Sequence, residues 1–171
     1  MSALQLVETD VNLIDAWLQA NIAAALTEIS VYRGDNFVSM EPPHSYFHFP
    51  NAKAYRAPAV FIVPEDGDFK LSRGQNSIDM TNKINVAVVC EDKDSYRLTV
   101  KVWRYQAALT KLLYLTPLQT GDASVKIVTK VVRHVFSDIY PKPRSPGDPE
   151  QVFRKEVVVQ LEVEHYENVT N

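Results

Sequence analysis

Cysteine, glycine and long apolar runs are all scarce in this chain of 171 residues, and each scarcity removes a class of function. The one cysteine, Cys90, can form neither an intramolecular disulfide nor a cysteine metal cluster. It lies in the apolar run INVAVVC with no histidine near it in sequence, which suits a small buried hydrophobe better than a nucleophile. With 5 glycines in all, the chain has no glycine-rich phosphate loop, and it also lacks a G-x-S-x-G elbow, a C-x-x-C pair and an H-E-x-x-H helix. No run approaches the ~18 uncharged apolar residues of a membrane span. The opening MSALQLVETD lacks the basic, apolar, small order of a secretory signal, so the expectation is a soluble chain made in a cytosol. A surplus of basic charge, the usual mark of a nucleic-acid binder, is missing too, because the net charge is −3.

The apolar content of 46% suits one compact α+β domain spanning residues 1–171 with a sizeable core. Its charges are segregated. Residues 93–155 hold 12 Lys and Arg against 5 Asp and Glu, and the rest of the chain is acidic. Such a division fits a molecule whose positive surface meets the negative surface of a partner or of another copy of itself.

Periodicity supplies the elements. VNLIDAWLQANIAAALTEIS, entered from Thr9 or Asp10 as a cap, carries Ile14, Trp17, Leu18, Ile22, Ala25, Leu26 and Ile29 at helical spacing. Residues 33–57 hold three prolines and the aromatic cluster HSYFHFP, and read as an extended arm with weak strand potential at 37–40 and 46–49. PAVFIVP is a short buried strand, EDGD a hairpin turn into FKLS, and RGQNSID a polar loop. TNKINVAVVCED is a stronger strand, apolar enough to be central in its sheet. After a second helix, SVKIVTKVVRHVFSDIY and QVFRKEVVVQLEVEHYE are two long strands, separated by PKPRSPGDPE (141–150) with four of the ten prolines. In the last of these Phe153, Lys155, Val157, Val159, Leu161 and Val163 share one face, while Glu156, Gln160, Glu162 and Glu164 mark the other. A mostly antiparallel sheet with two helices on one face is the economical architecture.

The second helix, DSYRLTVKVWRYQAALTKLL, is more apolar than one core contact requires. Leu98, Val102, Tyr105, Leu109 and Leu112 form one stripe on a wheel of about 100° per residue. Tyr96, Val100, Trp103 and Ala107 form another, and the basic ridge of Arg97, Lys101, Arg104 and Lys111 runs between them. The first stripe suits the sheet. The second, with the ridge, is available to a protein partner.

Two constellations invite a chemical reading. His44 and His48 are four apart, but Pro42, Pro43 and Pro50 oppose the helix that would bring them together, so no metal is assigned. His134 and His165 fall in strands and read as ordinary sheet residues. Glu91 and Lys93, in VVCEDKD at the end of the central strand, resemble the metal-dependent nuclease signature PD-(D/E)-x-K. In that signature acids hold Mg²⁺ and the lysine steadies the attacking water, and Asp66, Asp68 or Asp79 is the required partner acid. The alternative is that EDKD is a polar first turn favoured by the helix dipole.

The helix LIDAWLQANIAAAL, the strand APAVFIVPEDG, the strand and helix NKINVAVVCEDKDSYRLTVKVWRYQAALTKLL and the closing strand FRKEVVVQLEVEH together resemble the tail terminator (tail-completion) proteins of long-tailed bacteriophages. The resemblance spares only 33–57 and 141–150. It implies a non-enzymatic virion protein without cofactor, assembled in the host cytoplasm. Such a protein forms a hexameric ring that caps the tail tube and joins it to the neck or connector of the capsid. Its partners are copies of itself, the tail tube protein and the neck proteins, and DNA passes through without specific binding. A ring of head-to-tail contacts needs two unlike patches per subunit. The sequence offers Tyr96, Arg97, Val100, Lys101, Trp103 and Arg104 as one, and Glu156, Glu162 and Glu164 as the other. The arm and the proline-rich loop either reach adjacent rings or pack on their own domain.

Overall fold

The computed structural model describes residues 6–49, 55–71, 77–119, 125–143, 147 and 150–168. Helix α1 (Leu6–Arg33) is followed by strands β1 (Ser45–Phe47), β2 (Ala59–Leu71) and β3 (Ser77–Asp92). Helix α2 (Ser95–Leu113) then leads to β4 (Thr116–Leu118), β5 (Val125–Phe136), β6 (Tyr140–Pro141) and β7 (Phe153–Asn168). The sheet runs in the order β1-β2-β3-β7-β5-β4, with β6 also paired to β7. Every pairing is antiparallel except that of β1 with β2. The fold is α+β.

Both helices lie on one face of this sheet. From α1, Val11, Ile14, Leu18, Ile22, Ala25 and Leu26 are buried at three- and four-residue spacing. From α2, Leu98, Val102, Tyr105, Leu109 and Leu113 are buried with them, against Ile84, Val86 and Val88 of β3 and Val157, Val159, Leu161 and Val163 of β7. Each such side chain contributes about 1.5–3 kcal/mol by leaving water, so this seam dominates the stability. The start of α2 is fixed by Asp94, whose Oδ1 accepts the Arg97 N–H at 2.8 Å. Its other end is tied to α1, because the Trp17 indole donates to the Leu112 carbonyl at 3.0 Å.

Helix α1 begins a turn earlier than its sequence suggests. Asp10, which looks like a cap, is instead fully buried inside the helix. Its carboxyl accepts from Asn82 Nδ2 of β3 at 2.6 Å, and its other oxygen lies 2.8 Å from Nδ1 of His165 on β7. His165 is therefore no ordinary sheet residue. It joins the last strand to the first helix through a polar cluster sealed from water.

A second difference concerns EDGD. The segment does not turn: β2 continues through it, paired to β3 as far as Leu71 opposite Ile78, with the register shifting between Pro64 and Gly67. The sixteen-residue β3 offers a partner over that whole length, and a bulge absorbs the two residues whose local chemistry looked like a hairpin. Gly67 is needed there, since a β-carbon would meet the Asn82 side chain and lie 3.1 Å from the Thr81 carbonyl. Asn82 cannot give way without losing Asp10. Gly67→Ala is accordingly expected to destabilise the fold by about 1–3 kcal/mol in urea unfolding.

The described part of the 33–57 segment is bound to its own domain. β1 pairs with β2, Asp35 bonds Arg104, the Tyr105 hydroxyl donates to the Glu41 carbonyl, and His48 Nε2 lies 2.9 Å from Asp15 Oδ2. Residues 37–40, read as a weak strand, belong to no strand. Much of the 141–150 loop lies outside the described residues. Its first residues form β6 and the bond from the Lys142 N–H to the Val152 carbonyl at 2.8 Å.

Candidate interaction surface

Among the concave regions lined by described residues are three of roughly 280, 260 and 200 Å³. All are smaller than the ~300–1,000 Å³ of small-molecule sites. The hollow of about 260 Å³ lies between α1 and α2 and coincides with the spare stripe of α2: Val100, Trp103 and Ala107 form one wall, and Ile29 and Arg33 of α1 the other. Trp103 is 51% exposed and Tyr96 63%, and Phe37 sets its ring edge-on to Tyr96 at 5.3 Å. Val31 and Tyr32, in the last turn of α1, are still more open to solvent. Among the described residues no segment of the chain covers this aromatic surface. An exposed apolar patch of this kind is a candidate contact surface.

The basic ridge is not the open stripe that the helical wheel suggests. Arg104 points inward, 5% exposed, with Nη2 on Asp35 at 2.5 Å; Nη1 has no hydrogen-bond partner among the described residues. Arg97 and Lys101 share Asp92, at 3.8 and 2.5 Å. What remains exposed is aromatic, with the Arg33 and Arg97 side chains at its border. Asp35 and Asp92 sit far along the sequence from the arginine and at the helix entry respectively, so a wheel drawn on α2 alone cannot reveal them.

The acidic counterpart changes as well. Glu162 stands between Lys83 of β3 and Lys130 of β5 in register, and Lys130 pairs with it at 3.6 Å. Glu156 is half-buried on the outward face of the sheet, beside Val89 and the groove lined by Tyr55, Phe61 and Val158. Glu164 is exposed. These three do point the same way, opposite to the helices, as alternation requires. The face they share is mixed in charge, because the neighbouring strands place Lys83 and Lys130 on either side of Glu162.

The nuclease constellation is not assembled. Glu91 is occupied by Arg154, whose Nε and Nη2 donate at 3.0 and 2.5 Å, and by Lys142 at 2.9 Å. Arg154 in turn lies 5.0 Å over the Tyr55 ring. Lys93 pairs with Glu150. Asp68 and Asp79 sit at the opposite end of β3, at the level of Thr81 and beyond, ~33–40 Å along the strand from Glu91. Asp66 pairs with Lys83 at 3.6 Å. No three His, Cys, Asp or Glu among the described residues are grouped to hold a metal. Glu91 is a structural ion-pair centre tying β3 to β7 and β6.

Two carboxyls on this side respond to acid. The hydrogen bond from Arg104 is the main reason that the Asp35 carboxyl titrates below its ordinary 3.8. Burial pushes Asp92 upward, but the hydrogen bonds from Lys101 and the Asp94 N–H, with the charges of Lys101 and Arg97, outweigh it and hold its pKa below 3.8. A carboxyl depressed in the folded state contributes stability above its unfolded value and loses it as the pH falls through its folded value. Asp92→Asn should therefore lower the melting temperature at neutral pH, and the gap to wild type should close below the ordinary carboxylate range. Calorimetry across pH 2–7, a span bracketing ordinary carboxyl titration, checks this. Cys90, in contrast, is held protonated by burial and has no reactive thiolate.

No family model matches the chain, and no curated protein does. One chain of a solved structure, titled "Virion of native gene transfer agent (GTA) particle", is similar over 85% of this chain and 93% of that one, at 13% identity and a TM-score of 0.30. So distant a likeness leaves the function to be argued from the chain's own surfaces.

Proposed function

We propose that this protein is a structural component of a phage-like virion, and more closely a tail terminator: a ring-forming subunit that caps the tail tube and joins it to the neck. The observation that carries the reading is the uncovered surface of Tyr96, Val100 and Trp103 beside the end of α1. The segments of sequence quoted above for the tail terminator resemblance support it, and the element order of helix, strands, helix and long closing strands agrees. In this reading the aromatic surface meets the next subunit or a tail protein. A strongly basic lumen has no place in it, because each Lys or Arg contact to phosphate adds binding that passing DNA must break.

Electron microscopy of the purified protein tests the proposal. Closed rings with six-fold symmetry are expected. A field of single compact particles at every concentration would count against it.

A further inference from the structure

Among the described residues both edges of the sheet are largely unpaired. β4 covers β5 only at 127–129, so the outer edge of β5 from 130 to 136 pairs with no described strand. β1 covers β2 only at 59–61, so 62–71 on the opposite edge is equally free among the described residues. A long unpaired edge is a template for another chain, and soluble proteins cover or blunt it.

The two edges are unlike in charge. β5 reads VKIVTKVVRHVF, with Lys126, Lys130 and Arg133 and no acid. β2 carries three acids, Glu65, Asp66 and Asp68, and a single lysine, Lys70, in its sequence. Asp66 and Lys130 make only exposed, loose ion pairs, with Lys83 and Glu162, both at 3.6 Å, and such pairs contribute little on their own; Glu65 accepts from Asn85 and Gln160 at 2.5 and 2.9 Å. An edge meeting its own kind sets base against base or acid against acid. Unlike edges attract.

Strand polarity points the same way. From β2 through β3 and β7 to β5 every neighbour is antiparallel, so β2 and β5 run in opposite directions. Copies related by rotation about an axis along the strands would set β5 of one beside β2 of the next, also antiparallel, and the alternation would continue unbroken around a ring. Closure would leave no long edge exposed.

We infer that the contact between neighbouring subunits includes strand pairing between the basic β5 edge at 130–136 of one copy and the acidic β2 edge at 62–71 of the next, a second copy of this chain completing the sheet. The inference rests on the ring reading above. Hydrogen exchange of the full chain, at assembling concentration and after dilution to the monomer, reads it directly. In the ring the backbone amides of 130–136 and of 62–71, Pro64 having none, should exchange at least tenfold more slowly, those on the uncovered side included. Lys130→Glu with Arg133→Glu should dissociate the ring, as should Asp66→Lys with Asp68→Lys, and equal mixing of these two variants should restore rings in which the two alternate, because every β5 edge then meets a β2 edge of opposite charge. All four changes in one chain should restore them. A ring whose edge amides exchange as in the monomer, or which survives both charge reversals, overturns the edge contact and leaves the ring reading standing. A chain that never assembles sinks both.

Discussion

Replacing His165 with alanine is expected to cost about 3–5 kcal/mol of unfolding free energy, the scale on which a buried pair fails when one partner is removed. His165 is 2% exposed and Asp10 not at all, so no water replaces the lost ring nitrogen beside the Asp10 carboxyl. With a urea slope of about 2 kcal/mol per molar, the midpoint should fall by roughly 1.5–2.5 M. Replacing the whole cluster at once, Asp10→Leu with Asn82→Leu and His165→Phe, should recover most of that loss, since apolar groups of similar volume often match a buried polar cluster. That contrast assigns the loss to the stranded carboxyl. A His165→Ala midpoint equal to wild type would mean that Asp10 is satisfied without the ring.

The second large effect is on assembly. Trp103→Glu sets a carboxylate into the hollow between α1 and α2, where the proposed contact is apolar. Central aromatic anchors carry about 2 kcal/mol or more each, so the contact should weaken by roughly 30-fold or more and rings should dissociate. The fold should survive, because half of the indole already faces solvent and the core seam lies on the other side of α2. Light scattering with circular dichroism separates the two quantities: a folded monomer is the expected result. A variant that remains fully assembled would place Trp103 outside the contact.

The elements that periodicity could see were legible in the sequence. The buried seam of α2 is the stripe Leu98, Val102, Tyr105 and Leu109, and the core face of β7 is the alternation from Val157 to Val163. What escaped depends on partners distant in sequence. Asp10 carries the local marks of a cap, and only β3 and β7 make it a buried acceptor. EDGD carries the local marks of a turn, and only a long neighbouring strand draws it into the sheet. The same limit applies at the surface. The aromatic stripe of Tyr96, Val100 and Trp103 could be read from the wheel, whereas the neutralisation of its ridge by Asp35 and Asp92 could not. Glu162 likewise pairs with Lys130 and stands opposite Lys83, neighbours it gains only once three strands are aligned.

In the proposed function, copies of this chain close a ring. Native mass spectrometry of the wild-type protein tests it most directly. A dominant species of six subunits that gives way to monomer on Trp103→Glu is expected; a wild-type chain that flies as monomer alone at every concentration would rule the ring out.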